Sequence, residues 1–106
     1  MALFGISMIR ADAAGKAVSL LEVRPVLQVS RDGEDFMLGS PAVLDAIELG
    51  DRADAGDTFF VVKPSTRGEG FHPVATVRRD RAASGVLASF DAEARATTDL
   101  LELPRF

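Results

Sequence analysis

The chain contains no cysteine, which excludes disulfides, thiolate nucleophiles and thiolate metal sites. It has neither tryptophan nor tyrosine, so stacking on nucleic-acid bases would rest on its seven phenylalanines. Its single histidine, His72, cannot build a histidine-rich metal site, and a catalytic histidine needs a positioned partner. A basic excess is also missing. Twelve Lys and Arg stand against sixteen Asp and Glu, for a net charge of −4. That balance argues against general affinity for phosphate backbones or anionic membranes. No stretch approaches the roughly 20 apolar residues of a membrane helix. The opening "MALFGISMIR" lacks the basic and apolar regions of a signal peptide, so Sec export is not expected.

What is present is an ordinary globular balance, 47% hydrophobic and 26% charged residues in a chain of 106. This fits one domain with a single core. The clearest local signal is "VLQVSRDGEDFML". Asp32-Gly33 suits a two-residue type I′ turn, which needs positive φ at both central positions. Pairing outward sets Val29 opposite Phe36 and Leu27 opposite Leu38, all on one face. Upstream, "KAVSLLEV" (16–23) reads as a strand that Arg24-Pro25 bends or interrupts, because proline lacks a ladder donor. In "GSPAVLDAIELG" the period changes. Ser40 can cap, Pro41 fits the first helical position, Val43, Leu44 and Ile47 share a helical face, and Gly50 suits the residue past the end. A short helix over 41–49 is expected, with a strand as the rival.

"TFFVVK" (58–63) is apolar on both faces and rich in aromatic and β-branched residues, which suits a strand buried on both sides. "PSTRGEG" (64–70) is a loop. "FHPVATVRR" and "GVLASF" form a second hairpin joined by "DRAASG". In the tail 99–106 and the residues before it, Ala92, Ala96, Leu100 and Leu103 fit a helical stripe, whereas Thr97 and Thr98 favour extension. The segment 1–9 is either a first strand or an apolar arm. The sum is a mainly β fold: a small barrel or sandwich of about six short antiparallel strands with one short helix.

"GDRADAGDTFFVV" invites a metal, with Asp51, Asp54 and Asp57 three apart. An EF-hand loop needs oxygen ligands at positions 1, 3, 5 and 12 with glycine at 6. Counting from Asp51 puts Gly56 correctly but places Ala53, Ala55 and Val62 where ligands must stand. Glu48 could help from the helix end but supplies no bidentate partner. The stretch therefore reads as a solvated turn, with Gly56 at positive φ and Asp57 bonding nearby amides. His72 reads as the start of a strand, and no G-x-S-x-G elbow surrounds a serine. "RGEG" lacks a P-loop pattern. The carboxylate pairs Glu34/Asp35 and Asp91/Glu93 sit on polar turns, where nothing desolvates them for acid–base work. No metal and no cofactor is expected. The candidates for partner contact are Leu3, Phe4 and Ile6 at the start, Arg67, Gly68, Glu69 and Gly70 in the loop, and Arg78, Arg79 and Arg81 at the tip of the second hairpin.

In order, "ADAGDTFFVV", a variable loop, "FHPVATV", "RRDRAASG" and "VLASF" resemble the head–tail joining (stopper or connector) proteins of tailed bacteriophages and prophages. Gly56-Asp57, Phe71, Asp80, Gly85 and Val86 to Phe90 carry the resemblance, which covers roughly residues 50–90. It implies a small barrel that assembles as a ring between the portal-adaptor complex and the tail, in the virion or the bacterial cytoplasm. It also implies loop 64–70 near the DNA channel, where acidic character lets DNA slide. The expected function is non-enzymatic assembly through protein partners, as a homo-oligomer and with neighbouring virion proteins, without membrane or sequence-specific nucleic acid. A host-side barrel that docks a protein or small ligand is the alternative. An enzyme using Asp51, Asp54, Asp57 or His72 ranks below both.

Overall fold

The computed structural model describes residues 2–14, 17–66, 68, 70–83 and 85–106. Eight strands and one α-helix lie among them: β1 (Leu3–Ala11), β2 (Val18–Val29), β3 (Phe36–Leu38), β4 (Ala42–Asp45), α1 (Ala46–Asp54), β5 (Thr58–Pro64), β6 (Phe71–Asp80), β7 (Val86–Phe90) and β8 (Ala96–Thr97). The mainly β expectation holds, with two more strands than anticipated and one pairing of the unexpected sense. β1 lies between β2, which runs antiparallel to it, and β5, which runs parallel (Phe4↔Phe59, Ile6↔Val61).

The sheet order is β3-β2-β1-β5-β6-β7-β8, with β4 added to β2. β3 also meets β6 at one pair, Phe36↔Phe71. Five strands therefore make a ring that is closed unevenly, at that single pair. Its interior holds Phe36 edge-on to Phe60, with centroids 5.3 Å apart. The space is narrow: a β-carbon on Gly5 would stand 2.9 Å from Leu38 Cδ1 and 3.2 Å from Val62 Cγ1. Gly5 lets the ring close.

The larger core lies on the other face of the sheet. Ile6, Ile9, Leu21, Val23, Phe59 and Val61 from the strands meet Leu49 of α1 and Leu100 and Leu103 of the tail. Ile6 and Ile9 are three apart, yet both are fully buried. A bulge between Ile6 and Met8 adds one residue and restores the phase. From Leu3 on, segment 1–9 is thus a central core strand rather than an arm. The tail is anchored to it, because Ile9 N–H donates to Pro104 O (3.0 Å) and Phe106 N–H donates to Ile9 O (3.2 Å). No helical stripe forms there: Ala96 belongs to β8, and Leu100 and Leu103 enter the core from turns.

Three local expectations are corrected. The helix starts five residues later than anticipated. Ala42–Asp45 pairs with β2 (Leu21↔Leu44) instead, so Val43 and Leu44 alternate across a strand, and Ile47 projects to solvent. The N-cap is Asp45, whose Oδ1 accepts from Glu48 N–H at 2.7 Å. Gly50 lies inside the helix rather than beyond it, and Gly56, at φ +114°, follows its end. Pro25 does not interrupt β2. It forms the last pair with β1 (Phe4↔Pro25), and its carbonyl accepts from Gly39 N–H (2.8 Å) where β3 gives way to β4. In the first hairpin Val29↔Phe36 is as expected, but a bulge puts Val26, not Leu27, opposite Leu38. Gly33 alone of its turn has positive φ. With Gly33 N–H donating to Ser30 O (2.9 Å), the loop is a four-residue turn with a left-handed glycine, not type I′.

Candidate functional site

The candidates for partner contact are scattered. Ile6 is buried and unavailable. Phe4 stacks on Phe59 (5.1 Å, 15°) under the Arg52 guanidinium, which lies 4.7 Å from its ring centre. Leu3 is partly exposed. Arg67 and Glu69 lie outside the described residues, as does Lys16 of the expected strand. Gly68 is exposed, and Gly70 sits at φ +104° beside Phe36 and Met37. Arg78 and Arg79 belong to β6 rather than to a hairpin tip, and only Arg81 lies in the connection, a short 3-10 helix. Arg78 covers Phe90, 3.8 Å from its ring centre. Arg79 is bound inward to α1.

The aspartates are likewise occupied. Asp51 and Asp54 lie one turn apart on α1 and not in a solvated turn. Arg79 spans them, at 2.8 Å to Asp51 Oδ1 and 2.6 Å to Asp54 Oδ2, and donates to Ile47 O at 3.0 Å. Bonding to Asp51, then to Asp54, raises the Arg79 pKa further, outweighing its partial desolvation. Asp57 ties Arg52 Nε (3.2 Å) and accepts from Ala2 N–H (3.1 Å). These bonds clamp helix, strand and chain start together. His72 opens β6, as expected. Its Nδ1 is 2.7 Å from Glu34 O, so Nδ1 carries the proton and donates, and Asp35 Oδ1 lies 3.7 Å away.

The arrangement with chemical potential is one the sequence reading missed. A cleft of about 430 Å³ is lined by Ser7, Met8, Glu22, Arg24, Lys63 and Phe71, among others, with Leu103 and Pro104 of the tail forming another wall. Its volume is in the range of small-molecule sites. The β1 bulge builds it. After Ile6 turns inward, Ser7 and Met8 both line the cleft, opposite the Glu22 and Arg24 side of β2. Ser7 Oγ–H donates to Glu22 Oε1 at 3.0 Å, and the Arg24 guanidinium stands 3.6 Å from that same oxygen. Across the cleft, Arg24 Cζ is 5.9 Å from the Phe71 ring centre.

Arg24 is anomalous. Its Nε is buried without an acceptor, and no hydrogen bond to the Arg24 side chain occurs among the described residues. Leaving a buried N–H unpaired costs about 1–3 kcal/mol. The side chain stays 31% exposed. The guanidinium is thus held against the cleft wall, with one terminal nitrogen in the long contact to Glu22 and no side-chain hydrogen bond among the described residues. The sequence does carry a trace of this. Glu22 and Arg24 alternate with Leu21 and Val23 in a strand whose other positions are mostly apolar, and such alternation marks two different faces.

No protein-family model matches the chain, and no curated protein or solved structure matches it. Among the described residues no helix is long and apolar enough to cross a membrane.

Proposed function

We propose that this protein is a non-enzymatic assembly component that works through protein–protein contacts and forms an oligomeric ring, as in the phage head–tail joining proteins it resembles. One observation carries the reading. The β2–β3 hairpin extends past the end of β1 and leaves Leu27 69%, Val29 42% and Met37 43% exposed. Val29 pairs with Phe36 and so faces the other side of the hairpin from Met37. The patch is Leu27 with Met37, two large apolar side chains that a monomer gains nothing by exposing. Beyond Pro25, β2 has strand pairing only to β3 among the described residues, so one backbone edge is available as well. A neighbouring copy that covers patch and edge would satisfy both. The Gly56-Asp57 step and the β6–β7 hairpin, which carry the resemblance, fall on the parts of the fold that hold this hairpin in place through β5 and β6.

The test is the mass in solution, by light scattering, of the unmodified protein and of a Leu27→Lys, Met37→Lys variant. The unmodified protein is expected to form a discrete multiple of 11.3 kDa, and the variant a folded monomer. A monomeric unmodified protein at high concentration, without virion partners in its gene neighbourhood, would overturn the reading.

A further inference from the structure

We propose that the cleft around Arg24 binds a small molecule that joins one carboxylate to an apolar body. The proposal rests on the cleft residues and not on Leu27 or Met37, and does not depend on how copies assemble.

The ligand chemistry follows from the walls. Arg24 offers a planar fork of donors with no hydrogen-bonded acceptor among the described residues. A carboxylate matches that fork in shape and charge. The other polar groups are largely spoken for: Glu22 Oε1 takes the Ser7 hydroxyl, and Glu102 Oε2 accepts from Thr98 Oγ1. Around the guanidinium the surfaces are apolar or aromatic, from Met8, Val62, Phe71, Leu103 and Pro104. They suit an alkyl or aryl body.

Charge separates a carboxylate from a phosphate. Arg24 and Lys63 are balanced in the cleft by Glu22 and Glu102, so the site has no net positive charge to hold a dianion. A monoanion exchanges the long 3.6 Å contact with Glu22 for a direct bidentate one at Arg24. It also meets the Phe71 face, which already borders the cation.

An arginine kept for binding rather than for stability predicts a particular pair of effects. Replacing it with an apolar residue removes an unsatisfied N–H, so the fold should hold or strengthen while binding is lost.

The experiment follows the Arg24 Nε–H and Met8 methyl resonances of the unmodified protein by NMR during titration with phenylacetate, phenethylamine and inorganic phosphate. Phenylacetate is expected to shift both resonances saturably, and the other two to leave them in place. Arg24→Met should weaken phenylacetate binding roughly tenfold or more with a melting temperature equal to or above that of the unmodified chain. Arg24→Lys should give intermediate binding. Absence of a saturable phenylacetate shift in the unmodified protein would overturn the proposal, whatever the variants do. So would an equal response to phosphate, or undiminished binding in Arg24→Met. A marked fall in melting temperature for Arg24→Met would overturn the claim that the residue is held for binding.

Discussion

The guanidinium of Arg79 lies across Gly50, where a β-carbon would stand 2.5 Å from Nε and 2.7 Å from Cζ. From that seat it reaches Asp51, Asp54 and the carbonyl of Ile47. The missing side chain at Gly50 is what lets β6 grip α1. Glycine inside a helix costs about 1 kcal/mol relative to alanine, so Gly50 stands there against helix propensity.

A cycle of variants separates these opposing effects. Gly50→Ala gains helix propensity but pushes Arg79 from its seat. In an Arg79→Met background only the gain remains. Gly50→Ala is therefore expected to stabilise the Arg79→Met protein by about 1 kcal/mol and the unmodified protein by clearly less. Denaturant unfolding of the four proteins measures the difference, which is the coupling between the two residues. Equal effects in both backgrounds would mean that Arg79 moves aside without loss.

At the hairpin the expectation runs the other way. Leu27 and Met37 are exposed, so exchanging both for serine should change monomer stability by no more than about 0.5 kcal/mol per site. The same exchange should reduce association sharply if the patch is an interface. Thermal unfolding and light scattering on one sample read the two quantities. A large loss of stability would identify the patch as part of the fold.

How far the sequence revealed these features depends on whether the cause was local. β5 was legible because Phe59 to Val62 are apolar on both faces, and the structure buries all of them but Phe60, which is half-buried. The β6–β7 hairpin was legible for the same reason, from its alternation. Val43 and Leu44 were misplaced because two apolar neighbours fit a helix and a strand equally over four residues. Only pairing with Glu22 and Leu21 decides between them. The parallel pairing of β1 with β5 joins residues more than fifty positions apart, and no local pattern encodes it. The Arg24 cleft was invisible for a further reason. It depends on the bulge between Ile6 and Met8, which assigns Ser7 and Met8 to the Glu22 side, and a bulge leaves no dependable mark in one sequence. The tail's role was half visible: Leu100 and Leu103 were recognised as apolar positions of a segment that read equally as helical or extended, and only Ala96–Thr97 pairs as a strand.

Gly5 offers a check on the ring. Its absent side chain faces Leu38 and Val62 across the interior, so Gly5→Val must displace one of them or open the ring near Phe36↔Phe71. Overpacking of this kind costs about 1–3 kcal/mol. Hydrogen exchange should quicken first in β3, which meets β6 at one pair only. Loss spread evenly over all strands would show that the ring is not a separate mechanical unit.

Ser89 makes the sharpest prediction about the tail. It is 1% exposed, and no other polar or charged residue is buried among those described. Its Oγ accepts from Leu100 N–H (3.1 Å) and lies 3.1 Å from Thr97 O and 2.8 Å from Thr97 Oγ1. As the hydroxyl has one proton, it donates to one threonine oxygen while receiving the Leu100 amide. Ser89→Ala leaves that amide buried and unpaired and should cost about 1–3 kcal/mol. The loss should be concentrated in the tail. The amides of Leu100 and Leu103 are expected to exchange much faster, whereas Ile6 and Val61, held by strand pairs on both sides, change only with global stability. Because Leu100 and Leu103 seal the large core and Leu103 also walls the Arg24 cleft, a tail loosened at Ser89 should weaken phenylacetate binding although the substitution lies outside the cleft. Unchanged exchange at Leu100 would show that apolar contact alone holds the tail.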